Sequence, residues 1–352
     1  MSLATELLEE EHLLRQDRAE LAATKSALLR AQTELDRSGE VERLIGMFSP
    51  ANLSIPKWAG GRAKTGRRRG VLTLQLSDTH FDEVVRPDEV YGFNAYDRAI
   101  ALLRLKALAK RTVLMGRDYF AGVDYDGVHV LATGDVFSGD IHEELARTNQ
   151  SALYASCVYW VSHMVAFLTT LADEYGKVHV SCVVGNHGRN SHKPVYKSRV
   201  TNNIEWLFWH WVADHLAAKG DARITFTISD ALQLLVNVYD TRYSIEHGDE
   251  FKGGDGQVGA LGPLKRGQLR AATQRIAMNQ PLDWMVVGHF HQYMPPSQGL
   301  IMGGSLKGYD EYAAGKHLRP EVPQQGLWVT TPERGPTVFA PIQPMDRSTE
   351  GW

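Results

Sequence analysis

Downstream of Gly70 the chain alternates short β-branched or apolar runs with stretches of helical periodicity, and run after run ends in the same kind of residue. "VLTLQLSD" (71–78), "VHVLATGD" (128–135), "VHVSCVVGNH" (178–187), "ALQLLVNVYD" (231–240), "RYSIEHGDE" (242–250) and "LDWMVVGHFH" (282–291) read as strands. Helices are expected near 95–111, 143–174, 204–218 and 264–279, and 300–341 reads as further strands and turns. Strands alternating with helices at these lengths predict an α/β fold. In such folds ligands and catalytic groups collect at the carboxyl ends of the strands.

Five of these ends carry metal-ligating residue types. "LSDTH" supplies Asp78 and His80, "ATGD" supplies Asp135, and "VVGNH" supplies Asn186 and His187. "SIEHGDE" supplies His247, and "VVGHFH" supplies His289 and His291. Glycine beside most of them lets the backbone turn sharply and present the next side chain. One such end is common noise; five in one chain are hard to obtain by accident. Carboxylate, imidazole and amide donors without thiolate suit borderline or hard divalent ions such as Mn, Fe or Zn. There are too many donors for one tetrahedral ion. They suffice for two ions sharing a carboxylate, an arrangement that serves phosphate-ester hydrolysis.

The series Asp78-x-His80, Gly134–Asp135, Gly185–Asn186–His187, His247–Gly248 and Gly288–His289-x-His291 resembles, in order and spacing, the calcineurin-like metallophosphoesterase family, over about residues 71–310. That resemblance implies a two-sheet β-sandwich flanked by helices, with the site at one sheet edge. It implies two divalent ions, Mn first and Fe or Zn as alternatives. Asp78, His80 and His291 would hold the first ion and Asn186, His247 and His289 the second, with Asp135 bridging. His187 would be the general acid for the leaving oxygen, or would steady the phosphoryl group.

The second motif departs from the protein-phosphatase branch of that family, which reads GDxVDRG; here it is "GDVFSGD". Ser138 stands where that branch has an Asp to orient the catalytic histidine, and the phosphate-binding Arg is missing. Asp140 is the nearest carboxylate that could take over the orienting role. "GDVF" is closer to the "GDLF" of double-strand-break repair nucleases. "GDVFSGDIHEELARTN" (134–149) and "GGSLKGYDEYA" (303–313) also resemble phosphoesterases of tailed bacteriophages. The expected activity is therefore hydrolysis of phosphodiesters by metal-bound hydroxide, with nucleic acid, DNA first, ahead of cyclic nucleotides or other small phosphate esters. The rival of another class is a non-catalytic virion or scaffold component that keeps the metals for stability.

Cations follow the Asn–His turn closely: Arg189, His192, Lys193, Lys197 and Arg199. Arg189, nearest the ligands, is a candidate to grip substrate phosphate. Trp206, Trp209 and Trp211 read as packing of an amphipathic helix, with base stacking as the rarer use of such a cluster.

Three segments are expected: an N-terminal long helix (1–48), a basic flexible linker (49–70) and the catalytic domain (71–345). Leu7, Leu14, Leu21, Leu28 and Leu35 recur every seven residues, but the positions completing a two-stranded seam are polar, among them Glu11, Arg18, Lys25 and Gln32. That is a helix packed on its own chain, or a surface for self-association. Arg62, Lys64, Arg67, Arg68 and Arg69 make the linker basic, either an arm for nucleic-acid phosphate or a solvated connector. Residues 153–172 carry no Asp, Glu, Lys or Arg, and about 20 apolar residues can cross a bilayer. They lie between motifs that must meet in one site, so a buried core helix is expected and no membrane. The acidic start "MSLATELLEEEHLLRQ" is not the pattern of a secretory signal. With two isolated cysteines, Cys157 and Cys182, the expected compartment is a reducing cytoplasm, that of the host if the chain is phage-encoded.

Overall fold

The computed structural model describes residues 25, 26, 28, 29, 68–251 and 261–352. The chain divides into two compact units, Met1–Asn52 with Ala272–Pro281, and Leu53–Ala271 with Leu282–Trp352. Of the smaller unit, Lys25, Ser26, Leu28 and Leu29 are helical and exposed. The rest of the expected N-terminal helix, and the expected linker up to residue 67, lie outside the described residues.

The larger unit holds two sheets. The first has strands β1 (Arg68–Leu76), β2 (Val123–Ala132), β3 (Val178–Cys182), β4 (Ile224–Ile228), β10 (Gln325–Thr331) and β11 (Gly335–Ile342), in the order β11-β10-β1-β2-β3-β4. The second has β5 (Gln233–Val238), β6 (Thr241–Glu246), β7 (Trp284–Val287), β8 (Met294–Ser297) and β9 (Leu300–Met302), in the order β5-β6-β7-β9-β8. The helices are α1 (Arg98–Leu114), α2 (Glu143–Thr148), α3 (Leu153–Tyr175), α4 (Ile204–Ala218), α5 (Leu261–Ala277), α6 (Glu311–Gly315) and α7 (Arg347–Glu350). A π-helical turn, Met115–Tyr119, prolongs α1.

Side chains alternate across β1 with the period of two expected of a strand. Leu72, Leu74 and Leu76 enter a core shared with α1, α3 and α4, while Val71 joins Leu131, Val236, Ile245, Val286 and Trp328 between the sheets. On the far side of the second sheet, Leu264 of α5 packs with Met285, Val287 and Leu300. Each fully buried aliphatic side chain in these layers contributes about 1.5–3 kcal/mol. The result is the expected architecture, two sheets face to face and flanked by helices. The uncharged segment forms α3, whose Cys157, Trp160, Met164, Leu168 and Leu171 are buried in the first core. Among the described residues it is the one helix long and apolar enough to cross a membrane by length and composition, and half of it is buried.

Register sets the strand ends level. Leu76 pairs with Ala132, and Ala132 with Cys182, so three parallel strands stop side by side. In the second sheet Glu246 pairs with Val287, and Val287 with Met302. The strands are shorter at this edge than their apolar runs predict. β1 ends two residues before Asp78, β2 three before Asp135 and β3 four before Asn186. The expected helix over 143–174 is two, α2 and α3, because Asn149 and Ala152 adopt extended ψ values of 141° and 144°. Strand β4 was not expected at all. At the other end of β1, Arg68–Gly70 pair with β2 instead of belonging to a linker, and Arg69 Nε donates to Asp126 Oδ1 at 3.0 Å.

Candidate metal centre

The level strand ends bring all seven expected ligands to one edge. Backbone bonds knit the turns together: Asp78 N donates to Gly134 O (3.1 Å), His80 N to Asp135 O (3.0 Å) and Gly288 N to His247 O (2.9 Å). Gly134 and Gly185 face each other across the closest approach. A Cβ on Gly134, whose φ is +95°, would stand 2.5 Å from Gly185 N, and one on Gly185 would stand 2.0 Å from Asp135 Oδ1.

Five of the seven are themselves left-handed: Asp78 (φ 49°), His80 (44°), Asp135 (52°), His289 (67°) and His291 (54°). Non-glycine residues avoid this region at about 1–3 kcal/mol each and hold it only where the surroundings enforce it. At β1 and β2 a residue entering the left-handed region leaves the ladder and turns its side chain into the cleft; β3 stops short without one, since neither Asn186 nor the residues between it and Cys182 are left-handed.

The donors fall into groups whose ligand atoms all lie within 4.8 Å of one another. One is Asp78, His80 and His291; another is Asp135, His247 and His289; a third is His80, Asp135 and His187. In the first, His291 Nε2 is 3.4 Å from Asp78 Oδ1 and 3.0 Å from His80 Nε2. His80 Nε2 is 3.9 Å from Asp135 Oδ2, which in turn is 3.0 Å from His247 Nε2. Asn186 Oδ1 is 3.1 Å from the same His247 nitrogen. Asp135 thus stands between the two halves.

The tautomers identify what the donors face. His247 Nδ1 lies 2.8 Å from the Thr133 carbonyl oxygen and must carry a proton to bond it. Its Nε2 then points at two oxygen acceptors, and that arrangement needs a cation between them or a second proton on the ring. Burial lowers the His247 pKa, and the Asp135 charge and hydrogen bond outweigh it, so the ring is held well above its usual value. His80 and His289, by contrast, are pushed down to about 4, first by burial and then by the charges of Lys307 and His247 respectively. Both are neutral at physiological pH, the form in which imidazole ligates. The residues present therefore fit a pair of divalent cations.

His187 is half-buried at the mouth. Its backbone N donates to Asp135 Oδ1 at 2.8 Å, and its Nδ1 lies 2.6 Å from Ser138 O. A carbonyl there makes Nδ1 the protonated nitrogen and leaves Nε2 free. The residue that orients His187 is thus the main chain of Ser138, and Asp140, the carboxylate expected to do so, is exposed. His142, not singled out in the sequence, stands with its ring 5.8 Å from that of His187.

Arg189 is placed beside the centre, with its guanidinium engaged by three main-chain carbonyls. Nε donates to Ser191 O (2.9 Å), Nη1 to Asn186 O (3.1 Å) and Nη2 to His192 O (3.1 Å). Arg199 is buried against Asp249 and Glu250. His192, Lys193 and Lys197 are exposed, as is Tyr196. The tryptophans separate: Trp209 is fully buried in the core, Trp206 Nε1 donates to Asp230 Oδ1 at 3.0 Å, and Trp211 is partly exposed.

Two buried carboxylates behind the ligands were not anticipated. Glu205, capped into the first turn of α4 by Asn203, accepts from Val136 N (3.0 Å) and Gly185 N (2.9 Å). It ties the turn of Asp135 to the turn of Asn186. Glu83 lies 3.2 Å from His80 Nδ1. Next to it, Trp160 of α3 stacks on Phe81 at 3.7 Å and donates to Asp82 Oδ2 at 3.2 Å, which anchors the turn that carries His80.

No protein-family profile and no curated protein matches the chain. Solved structures similar to it include a conserved uncharacterised protein of Streptococcus pneumoniae described as a predicted phosphoesterase, at 11% identity and a TM-score of 0.29, covering 79% of this chain and 99% of that one. Entamoeba histolytica Vps29 complexed with Zn2+ is similar at 13% identity and a TM-score of 0.28, covering 78% and 99%. The sulfate thiohydrolase SoxB of Thermus thermophilus is similar at 10% identity and a TM-score of 0.29, covering 80% and 57%. At such identities and TM-scores these likenesses carry nothing about activity; the chemistry has to be read from the donor set itself.

Proposed function

We propose that the chain is a phosphoesterase dependent on two divalent metal ions, that it hydrolyses phosphodiesters, and that nucleic acid is its substrate, DNA first. The observation that carries this reading is His247 Nε2 facing both Asp135 Oδ2 and Asn186 Oδ1, within a cluster of seven donors drawn from five strand ends. Asp78, His80 and His291 would hold one ion, Asn186, His247 and His289 the other, and Asp135 both. Such a pair, with manganese as the first candidate, supplies Lewis acidity toward the phosphoryl oxygens and acidifies coordinated water.

The chain's own contribution is orientation and a proton. His187, fixed through Nδ1, keeps Nε2 for the leaving oxygen or for a phosphoryl oxygen. Arg189, held to the Asn186 carbonyl, steadies the ligand turn and adds positive charge beside the substrate. The exposed Lys193, Lys197 and Tyr196 that follow supply cations and a ring of the kind that grips a nucleic-acid strand. Lack of the phosphatase-type Arg in "GDVFSGD" favours diesters over phosphoprotein.

Purified protein given Mn2+ and offered monoester, bis-aryl phosphate, cyclic nucleotide, and single- and double-stranded DNA tests the reading. DNA and bis-aryl phosphate should be cleaved. Hydrolysis confined to monoesters or cyclic nucleotides sinks the nucleic-acid assignment, and an Asp135→Ala variant as fast as wild type sinks the enzyme.

A further inference from the structure

We propose that Lys307 is a positioning residue for the first ion: through Glu83 it fixes His80, so the half of the centre made by Asp78, His80 and His291 depends on the segment 303–310 and the other half does not. This inference rests on the two-ion reading above.

Lys307 is a buried ammonium, 2% exposed, beneath the cleft. Burying such a charge costs several kcal/mol unless it is closely paired. Its Nζ donates to Glu83 Oε1 at 2.7 Å and also to Asp310 Oδ2. The other oxygen of Glu83 is the one beside His80 Nδ1, at 3.2 Å, and also accepts from Ser138 Oγ at 3.3 Å. The Glu83–His80 contact is an ion-pair distance rather than an aligned hydrogen bond, and the carboxylate charge beside Nδ1 favours the proton there, which leaves the lone pair of Nε2 toward Asp78, Asp135 and His291. Outer partners of this kind typically change metal affinity or activity by about 10–100-fold. Glu83 and Asp310 against Lys307 leave one net negative charge behind the ring, and that favours a cation on its other side.

The same segment holds the second member of the group by its main chain. Ser305 Oγ donates to Asp78 O at 2.8 Å, and Leu306 N to the same oxygen at 3.2 Å. The segment is itself bolted down from below. Asn94 Nδ2 donates to Lys307 O (2.9 Å) and Tyr309 O (2.7 Å), and Arg104 Nη1 donates to Lys307 O (2.7 Å). Arg104 in turn forms a buried pair with Glu350 of α7 at 2.9 Å. Among the described residues the segment meets the second half through a main-chain bond, Gly303 N to Val287 O at 2.8 Å, and not through a side chain on a ligand ring. There, His247 Nδ1 rests on the Thr133 carbonyl, and Glu205 binds main-chain amides. The "GGSLKGYDEYA" stretch thus acquires a job: it is the seat of one ion.

Equilibrium dialysis of the metal-free full chain against Mn2+, with calorimetric titration, tests this. Wild type should take up two equivalents. Lys307→Met should weaken one by about 10–100-fold and leave the other at wild-type affinity, and Lys307→Arg should recover most of the loss. Where Lys307→Met fails to fold, as judged by circular dichroism, the Glu83→Gln/Lys307→Met/Asp310→Asn triple variant carries the test, since it leaves neither carboxylate buried without its ammonium. In that background His291→Ala should leave the tighter ion untouched, and His289→Ala should remove it. Two equivalents at unchanged affinity in the triple variant, or both weakened alike, overturn the inference while leaving the two-ion reading intact. A wild type that takes up no Mn2+ overturns the two-ion reading itself.

Discussion

Glu83 and Glu205 occupy matching places on the two sides of the centre: each is buried, and each stands directly behind a turn that carries ligands. Their carboxyls are driven in opposite directions. Burial raises both. At Glu83 the Lys307 ammonium overrides it and holds the carboxyl well below the usual range. At Glu205 the Asp135 charge adds to burial, and two backbone amides do not compensate, so the carboxyl is pushed up to about 8. A side chain that meets an ammonium adds fixed negative charge behind its half-site. One that meets only amides acts as a neutral clasp until the pH rises or cations arrive. The two halves are therefore supported by different physics, electrostatic on the His80 side and geometric on the Asn186 side.

The most severe way to break that comparison is at the residue common to both halves. Asp135→Ala should abolish uptake of both ions and lower phosphodiester turnover by far more than the roughly 10–100-fold expected of an outer partner. Retention of either ion, measured by metal content after dialysis, would mean the halves are not joined there. Next in size, His187→Ala should lower kcat by roughly 10²–10⁴-fold with both ions retained. Loss of an ion would instead assign His187 to the ligands, as its place near His80 and Asp135 allows.

A smaller effect separates the two carboxylates by pH. Glu205 has its folded pKa raised, so its stabilising contribution is complete below about 4.5 and is lost as pH rises through about 8. Glu83 has its folded pKa depressed, so its contribution is present above about 4.5 and is lost as the solution becomes more acid. In urea denaturation of metal-free protein, the stability of wild type minus that of Glu205→Gln should fall from pH 5 to 8, with the acid limb spared. An unchanged slope in the variant would refute the assignment. The finest test is additivity. If the supports are independent, Lys307→Met and Glu205→Gln should add in stability to within about 0.3–0.5 kcal/mol, and a larger coupling would show the centre to be one unit.

The gathering of all seven candidate ligands at one edge was legible in the sequence because each combines two local signals, a donor residue and the end of an apolar run. The fold class was legible for the same reason, since period-two runs alternate with helical ones. The exact strand ends were not, because a run such as "VLTLQLSD" looks equally extended to its last residue, and only tertiary pairing shows where the left-handed turn begins. Strand β4, "ITFTI", was not expected although its strict apolar–polar alternation is the pattern of a half-buried edge strand. Glu83, Glu205 and Lys307 were invisible for a deeper reason. Charged residues are exposed by default, and nothing in "TNNIEW" or "GGSLKGY" tells a buried charge from a solvated one. Arg189 was legible as a cation near the ligands, but not the three carbonyls that hold it.

Five candidate ligand residues in left-handed conformations set folding against chemistry. A chain selected only to fold would place glycine or asparagine at Asp78, His80, Asp135, His289 and His291, since those residues enter that region with least strain. Glycine would relieve that strain at each of the five, but at Asp78 and Asp135 it would also remove the carboxylates that accept from His289 N and His187 N. The strain is therefore most readily relieved at the half-buried His291, and an engineer who screened for heat resistance alone, without metal in the buffer, would lose a donor of the first group there and leave the sandwich standing.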